Sequence, residues 1–259
     1  MIMKTALITG ASSGIGTAFA QELASRNYNL VLVARSQAKL ETLAKQLQES
    51  HAINTEIIVQ DLTANNAAQT VFDTVNHQGI HIDLLINNAG FGDYGVFADS
   101  SLEKQLEMIQ LNITALVALT HLFLSPMREQ GNGGIINISS IAGFQPIPYM
   151  SVYGATKAFV LNFSEALWAE NQEAGITVTC VSPGPTETAF FERAGFSSNS
   201  SGSSATPEEV AKEGLKAFEE KQTNVVTGGL GNHVITNIPR FLPREALVKL
   251  VAKQFRPTQ

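Results

Sequence analysis

A tyrosine and a lysine four residues apart, Tyr153 and Lys157, are the side chains in this sequence best suited to proton transfer. On a helix, residues at this spacing share one face. The pKa of a tyrosine is ordinarily about 10, so the phenol can act as a general acid or base near neutral pH only where its surroundings lower that value. A neighbouring ammonium favours the phenolate and would have this effect. The pair is a candidate reaction centre, although the same spacing usually reflects a contact on a helix surface.

A second chemical feature is the glycine-rich turn near the start of the chain, where Gly10, Gly14 and Gly16 lie between a short apolar run and a helical pattern. Residues without a Cβ let backbone N–H groups and a helix N-terminus approach a pyrophosphate. The spacing G-x3-G-x-G departs from the usual G-x-G-x-x-G fingerprint. Glycines at such a turn can also be purely structural. The turn therefore predicts a dinucleotide site with moderate specificity.

The end of the second apolar run, Ala34-Arg35-Ser36, bears on the choice of dinucleotide. In dinucleotide-binding folds an acid at this place accepts from the ribose 2′-hydroxyl, whereas a base neutralises a 2′-phosphate. This sequence has no carboxylate there, and the planar guanidinium of Arg35 matches a phosphate. The alternative is a solvated charge at a helix start, where cations are disfavoured. We expect NADP(H) rather than NAD(H).

Composition narrows the class of protein. The 259 residues are 44% hydrophobic and 15% charged, which predicts a single compact domain over residues 1–259. The net charge of -6 argues against nucleic acid as a partner. The single cysteine, Cys180, lies in an apolar run and is expected to be a buried thiol. The five histidines show no metal-ligand spacing, so we expect no metal site.

The start of the chain has no secretory signal pattern, and no stretch approaches the roughly 18 apolar residues of a membrane span. We therefore expect a cytoplasmic protein that does not cross a bilayer.

The elements that must position these residues alternate along the chain. Longer segments with apolar residues at three- and four-residue spacing predict helices at residues 14–26, 36–50 and 152–174. Short, continuous apolar runs predict strands covered on both faces. This alternation predicts a doubly wound α/β fold with about seven parallel strands and helices on both faces, and a ligand outside the carboxyl ends of the strands. The predicted strands are residues 5–9, 30–34, 56–60, 84–87, 134–139, 177–182 and 225–227.

Five motifs occur in the order and spacing of the short-chain dehydrogenase/reductase family, which this sequence resembles from the first strand to about residue 188. The resemblance implies a Rossmann-type fold and an oxidoreductase that moves hydride between a nicotinamide cofactor and a carbonyl/alcohol pair. It also implies a homodimer or homotetramer. The motifs are residues 9–16, Asn87-Asn88-Ala89-Gly90, Ser139-Ser140, Tyr153-x-x-x-Lys157 and Pro183-Gly184.

The resemblance implies a role for each residue of a proton relay. Tyr153 matches the family's catalytic acid/base, and Lys157 matches its partner, which also binds the nicotinamide ribose. Ser140 matches the hydroxyl that orients the substrate carbonyl, and Ser139 is the less suitable candidate by spacing. Asn112 matches the asparagine that helps to hold a water in the relay; without the resemblance it would be a polar helix residue.

The same resemblance implies the residues around the cofactor. Two departures from the family's pattern occur: Ala34 stands where members that prefer NAD have an acid, and Thr186 replaces the usual Val or Ile. The implied contacts are Gly10, Ser12, Ser13, Gly14, Ile15 and Gly16 for the diphosphate and adenosine ribose, Asp61 and Leu62 for adenine, Asn88, Ala89 and Gly90 for the ribose region, and Pro183, Gly184 and Thr188 for the nicotinamide carboxamide.

Two segments outside these motifs are expected to shape the substrate site or the surface. Residues 189–222, with the Ser- and Gly-rich stretch 197–204, are a substrate lid or a tolerated surface loop. Residues 239–259 read as a basic amphipathic helix with the apolar stripe Leu247, Leu250, Val251 and Phe255. Such a helix more often packs on its own domain or a second subunit than on an anionic membrane.

The substrate is expected to be a small hydrophobic ketone, aldehyde or alcohol rather than a sugar. Two rival functions stay open: an NAD(P)-binding sensor or scaffold with little turnover, and a peripheral membrane reductase of lipid carbonyls. The residues that suggest an apolar pocket are Phe144, Ile147, Tyr149, Met150, Phe190, Phe191 and Phe196.

Overall fold

The computed structural model describes residues 3–196 and 204–257. Seven parallel strands form one sheet in the order β3-β2-β1-β4-β5-β6-β7, so the predicted doubly wound fold is confirmed. Each strand begins and ends within one residue of its predicted bounds. The strands are β1 (Thr5–Thr9), β2 (Asn29–Ala34), β3 (Thr55–Val59), β4 (Leu84–Asn87), β5 (Gly133–Ile138), β6 (Ile176–Pro183) and β7 (Asn224–Thr227).

Helices cover both faces of the sheet. The three predicted helices form, with ends within three residues of expectation. The helices are α1 (Gly14–Ser25), α2 (Gln37–Ser50), α3 (Ala67–His77), α4 (Leu102–Ile109), α5 (Leu116–Gln130), α6 (Ser151–Asn171), α7 (Phe190–Ala194), α8 (Pro207–Glu219), α9 (Leu230–Asn237) and α10 (Arg244–Phe255).

Strand β1 shows why the strands are apolar throughout. Ala6 and Ile8 point into one core cluster, which contains Phe19 of α1, while Leu7 points into the opposite cluster, which contains Phe123 of α5. Successive strand residues face opposite sides of a sheet, so both sets must be apolar when both faces are covered. The two clusters hold the strands in register and fix their carboxyl ends at one edge of the molecule.

Helices α4 and α5 join through a π-helical segment, Gln110–Ala115, into one continuous helical stretch, Leu102–Gln130. By length and mean hydropathy, this stretch is long and apolar enough to cross a membrane, contrary to the expectation from the sequence. Leu119, Phe123 and Met127 on it pack into the core beneath the sheet. This packing is typical of the core helix of a globular domain.

Helix α8 falls within the segment 189–222, for which the sequence left open a substrate lid or a tolerated surface loop. Its residues Val210, Ala211 and Leu215 are buried in the cluster that also holds α1. This part of the segment is therefore a core helix rather than a lid, because its apolar stripe faces the sheet. The Ser- and Gly-rich residues 197–203 lie outside the described residues.

The basic C-terminal segment forms helix α10. This helix packs on its own domain, which is one of the alternatives that the sequence left open. Leu247 and Val251 of the predicted stripe are buried and Phe255 is half-buried, whereas Leu250 is 56% exposed. The buried members join a cluster with Tyr153, and the Tyr94 hydroxyl donates to the Phe255 carbonyl at 2.8 Å. The end of the chain thus becomes a wall of the functional site.

Candidate active site

A cavity of about 960 Å³ lies at the carboxyl ends of the strands, beside the point between β1 and β4 where the strand order reverses. Ligands of open α/β sheets bind at such a switch point. Two of the predicted site residues, Gly16 and Asn112, do not line this cavity. Those that do are Gly10, Ser12, Ser13, Gly14, Ile15, Arg35, Asp61, Leu62, Asn88, Ala89, Gly90, Ser140, Tyr153, Lys157, Pro183, Gly184 and Thr188.

The glycine turn is packed so closely that side chains are excluded. Gly10 has a φ of +66°, and a Cβ there would lie 2.8 Å from the Asn88 side-chain nitrogen. A Cβ on Gly16 would lie 2.4 Å from the Gly10 carbonyl oxygen. Asn88 holds the turn from the other side, because its amide donates to the Thr9 carbonyl at 2.8 Å. Gly16 therefore brings α1 against the turn and, unlike the implied contact, does not line the cavity.

Arg35 lies at the rim of the cavity beyond the end of β2, with 71% of its side chain exposed. Its guanidinium is 3.8 Å from the Asp61 carboxylate. Burial acts to raise the pKa of Asp61, but hydrogen bonds from Thr63 and the charge of Arg35 hold that pKa below its ordinary value. Lys39 of α2 also lines this part of the cavity, although sequence reasoning did not single it out. The rim thus carries two cations beside one carboxylate.

Tyr153 lies near the start of α6, buried on the cavity wall. Burial raises the pKa of Tyr153 to about 12, and the nearby Ser140 hydroxyl acts in the opposite direction. Ser139, the alternative considered for this place, instead donates its hydroxyl to the Lys157 carbonyl at 2.7 Å. The structure thus brings Ser140 to the tyrosine hydroxyl and uses Ser139 to fix α6 against β5.

Lys157 is buried one helical turn after Tyr153, and its Nζ donates to the Ile138 carbonyl at 2.8 Å. The same nitrogen lies 5.8 Å from the centroid of the Tyr153 ring. Burial lowers the pKa of Lys157 to about 8, against a smaller opposing influence of Cys180. Burial of the phenol raises the pKa of Tyr153, whereas the sequence led us to expect a lowered value from the neighbouring ammonium.

Asn112 is buried in the π-helical segment between α4 and α5. Its side chain donates to the Phe91 carbonyl at 3.0 Å and to the Thr156 hydroxyl at 3.1 Å, and it accepts from the Phe91 amide at 3.1 Å. These bonds tie the loop after β4 to α6. Asn112 does not line the cavity and lies behind its wall. The π-helical segment that holds it is a rare conformation often found at functional sites.

Aromatic and aliphatic side chains form the other end of the cavity. The Phe190 ring lies 5.2 Å from the Tyr153 ring, centroid to centroid. Of the residues expected in an apolar pocket, Phe144 and Tyr149 do not line the cavity. The apolar lining includes the expected Ile147, Met150, Phe190, Phe191 and Phe196, together with Ile235 of α9, Ile238 after it, and Leu247, Leu250, Val251 and Phe255 of α10.

The comparison with protein families decides the identity of this arrangement. A model of the short chain dehydrogenases matches residues 4–196, which include the glycine turn and the Tyr153 region. The chain belongs to the short-chain dehydrogenase family. Within the residues that the structure describes, no group of three or more His, Cys, Asp or Glu side chains could hold a metal ion.

This short-chain dehydrogenase is similar in sequence to a reductase of acyl-CoA compounds. The very-long-chain 3-oxoacyl-CoA reductase of Anas platyrhynchos is 38% identical over 186 residues, which cover 69% of this chain and 58% of that protein. The chain therefore spans less than two thirds of that relative's length.

Two solved structures match nearly the whole chain. The short-chain dehydrogenase from Sphingobium yanoikuyae in complex with NADPH has a TM-score of 0.83 at 32% identity and covers 99% of this chain and 98% of its own. The bulky-bulky ketone specific alcohol dehydrogenase from Comamonas testosteroni has a TM-score of 0.80 at 31% identity and covers 99% and 100%. The similarity thus extends through the C-terminal helices, where the sequence motifs fade.

Proposed function

We propose that this chain is an NADP(H)-dependent oxidoreductase that interconverts a hydrophobic ketone or aldehyde and its alcohol. The observation that carries the proposal is the placement of the Tyr153 hydroxyl beside Ser140, on the wall of a cavity that also contains the glycine turn. A proton donor and a polar anchor are thereby held at one point, beside a group of apolar side chains at one end of the cavity.

The residues around the glycine turn fit a dinucleotide. Gly10 and Gly14 of the turn line the cavity without side chains, so a pyrophosphate could approach the backbone there at the start of α1. Ser12, Ser13 and Ile15 would hold the diphosphate region, and Asp61 and Leu62 the adenine. Arg35 and Lys39 would neutralise a 2′-phosphate, which favours NADP(H) over NAD(H). The NADPH complex of the Sphingobium relative supports this choice.

When bound, the nicotinamide supplies or accepts the hydride. In the direction of reduction, Tyr153 gives its proton to the substrate oxygen. The phenol is protonated at neutral pH and so carries the proton to be given, but its raised pKa makes it a weaker acid than the lowered value expected from the sequence would. Ser140 steadies the same oxygen by hydrogen bonding. Lys157, together with a water held near Asn112, returns a proton to the tyrosine.

The substrate end of the cavity favours an apolar compound. Phe190, Met150 and Val251 line it from three separate elements, so a hydrophobic molecule would be covered from several sides. The preference of the Comamonas relative for ketones with bulky groups on both sides supports a substrate of similar bulk. A sugar would leave its hydroxyl groups without partners among these side chains.

We also propose that the protein forms a homo-oligomer in the cytoplasm. Leu102 and Leu106 on α4 and Phe159 on α6 are exposed apolar side chains. They lie on the two helices that carry or adjoin Asn112 and Tyr153, which are the usual subunit contacts in proteins of this kind. Burying such side chains between subunits is favourable.

A spectrophotometric screen of ketones, aldehydes and alcohols with both cofactor pairs tests the proposed function. We expect oxidation of NADPH by at least one hydrophobic ketone or aldehyde, and much slower reaction with NADH. Binding of NADPH without turnover of any compound would instead favour the rival function, a sensor or scaffold that keeps the fold without the chemistry. A clear preference for NADH would contradict the role of Arg35.

A further inference from the structure

The segment from α9 to α10 carries large apolar side chains on the protein surface. Leu230 and Val234 lie one turn apart on α9, and Phe241 and Leu242 follow in the connection to α10. Leu230 is 84% exposed and Phe241 is 83% exposed. Single exposed apolar residues are common, whereas contiguous apolar patches mark sites of interaction. We call Leu230, Val234, Phe241, Leu242 and Leu250, which are all exposed within this one segment of the chain, the α9–α10 face.

Basic side chains surround this face. Arg240 and Arg244 bracket Phe241 and Leu242 in the chain, and both arginines are exposed. Neither forms an ion pair with any residue that the structure describes. Residues 239–259 contain five basic residues and one acid, in a chain whose net charge is -6. This segment thus has a net positive charge, unlike the chain as a whole, and it follows the helix that carries Leu230 and Val234.

We propose that the α9–α10 face docks on the surface of an anionic lipid bilayer. A bilayer offers both complementary features at once, negative headgroups for cations and an acyl boundary for apolar side chains. In this arrangement Phe241 and Leu242 enter the headgroup and acyl boundary, while Arg240 and Arg244 remain at the level of the phosphates. A lipid surface can bind both kinds of side chain without the shape complementarity that a protein partner would need.

A second copy of the chain fits the same face less well. A two-fold contact brings the same patch of both subunits into one interface. Arg240 and Arg244 of both subunits would then share that interface, where like charges repel. A bilayer containing acidic lipids removes this repulsion and supplies opposite charge instead.

The face is continuous with the cavity. Ile235 of α9 and Leu250 of α10 both line the cavity and are also exposed to solvent. An apolar wall therefore runs from the surface inward to Val251, which belongs to the same cluster as Tyr153. A hydrophobic substrate dissolved in the bilayer would meet the cavity at its mouth. This use of the face rests on the proposed function, whereas docking itself does not.

Sedimentation of the full chain with lipid vesicles tests the proposal. One set contains phosphatidylglycerol mixed with phosphatidylcholine, and the other contains phosphatidylcholine alone. We expect the protein to sediment with the anionic vesicles, to bind the neutral ones at least ten-fold more weakly, and to be released by high salt, because headgroup attraction is screened. Failure to bind anionic vesicles would overturn the proposal, while turnover of soluble ketones would still support the proposed function.

Variants on the face separate docking from a general attraction. Phe241→Ser should weaken binding about ten-fold or more, and Arg240→Gln with Arg244→Gln about twenty-fold, from roughly five-fold for each arginine.

Val59→Ser is the matched control, since Val59 is 47% exposed on β3 at the opposite edge of the sheet. Lys4→Gln with Lys45→Gln controls for lost charge. Equal losses in controls and face variants would overturn the proposal, as would a halved molar mass of the face variants in light scattering.

Discussion

The ring of Phe190 lies 5.2 Å from the ring of Tyr153, with the two planes tilted by 48°. Phe190 begins the short helix α7, and its ring also approaches Phe191. The Cζ atom of Phe190 would be 2.7 Å from a Cβ on Gly92, so the ring fills the space beside the loop after β4. The proposed acid is therefore covered by a side chain whose replacement would change the size of the substrate site without removing a group of the proton relay.

Phe190→Ala is expected to shift the preference for substrate size. Removing the ring enlarges the cavity beside Tyr153, and one hydrophobic pocket contact is worth about 1–3 kcal/mol in discrimination. The ratio of kcat/KM for a ketone with two bulky groups to that for a small ketone should rise about ten-fold. The measurement is NADPH oxidation with a graded series of ketones. An unchanged ratio would show that Phe190 does not border the bound substrate.

Arg35→Gln is expected to lower affinity for NADPH about ten-fold and to leave affinity for NADH unchanged. The lost interaction is a charge-assisted hydrogen bond to the 2′-phosphate, worth about 1.5–3 kcal/mol when well formed. Fluorescence titration of both cofactors measures the difference. Lys45→Gln is the control, since Lys45 lies on helix α2, which follows Arg35, but does not line the cavity. Equal loss for NADPH and NADH would contradict phosphate recognition by Arg35.

Gly16→Ala is expected to destabilise the fold by about 1–3 kcal/mol, because overpacking forces neighbouring atoms to move. Its Cβ would lie 2.4 Å from the Gly10 carbonyl oxygen, which is backbone and cannot rotate away. Gly231→Ala is the matched helical control, since no atom lies within 4 Å of its added Cβ. That change should be neutral or slightly stabilising. Urea unfolding of both variants gives the comparison, and equal stability would remove the packing role assigned to Gly16.

The pKa values predict how reduction depends on pH. Burial lowers the pKa of Lys157 to about 8, so its ammonium is present below that pH and is lost above it. Tyr153, with a pKa of about 12, stays protonated throughout this interval. The value of kcat/KM for NADPH, which reports groups of the free enzyme, should therefore fall as pH rises through about 8.

Lys157→Arg supplies the control for this pH profile, because a guanidinium stays protonated across the range. Any remaining activity of this variant should not show the fall near pH 8. If kcat/KM of the unaltered protein stayed constant up to the ordinary pKa of a lysine, about 10.4, the assignment of Lys157 would be contradicted.

The strands could be predicted almost residue by residue because of where they lie. Leu7 and Ile8 must both be apolar when helices cover both faces of the sheet, and this leaves a continuous run that is visible in the sequence. The glycine turn was equally visible, since close approach of the backbone requires residues without a Cβ. Features that depend on neighbouring residues in the chain can therefore be predicted from the sequence.

Other features depend on contacts between distant parts of the chain. The stripe containing Leu247 and Val251 predicted a helix, but nothing local indicates that it packs beside Met108 and Tyr153. The π-helical segment at Asn112 likewise depends on bonds to Phe91, from the loop after β4. The pKa of Tyr153 could not be inferred from its spacing to Lys157, because burial by side chains from distant parts of the chain raises that pKa.

The most direct test of the central claim is the rate of NADPH oxidation by the Tyr153→Phe variant with a hydrophobic ketone that the unaltered chain reduces. Loss of a general acid typically lowers a rate 10²–10⁴-fold, and the matching hydroxyl-free ring should keep the fold and the affinity for NADPH. We predict a fall in kcat of about that size with unchanged NADPH binding. A variant that folds, binds NADPH and retains its turnover would contradict the proton-transfer role of Tyr153.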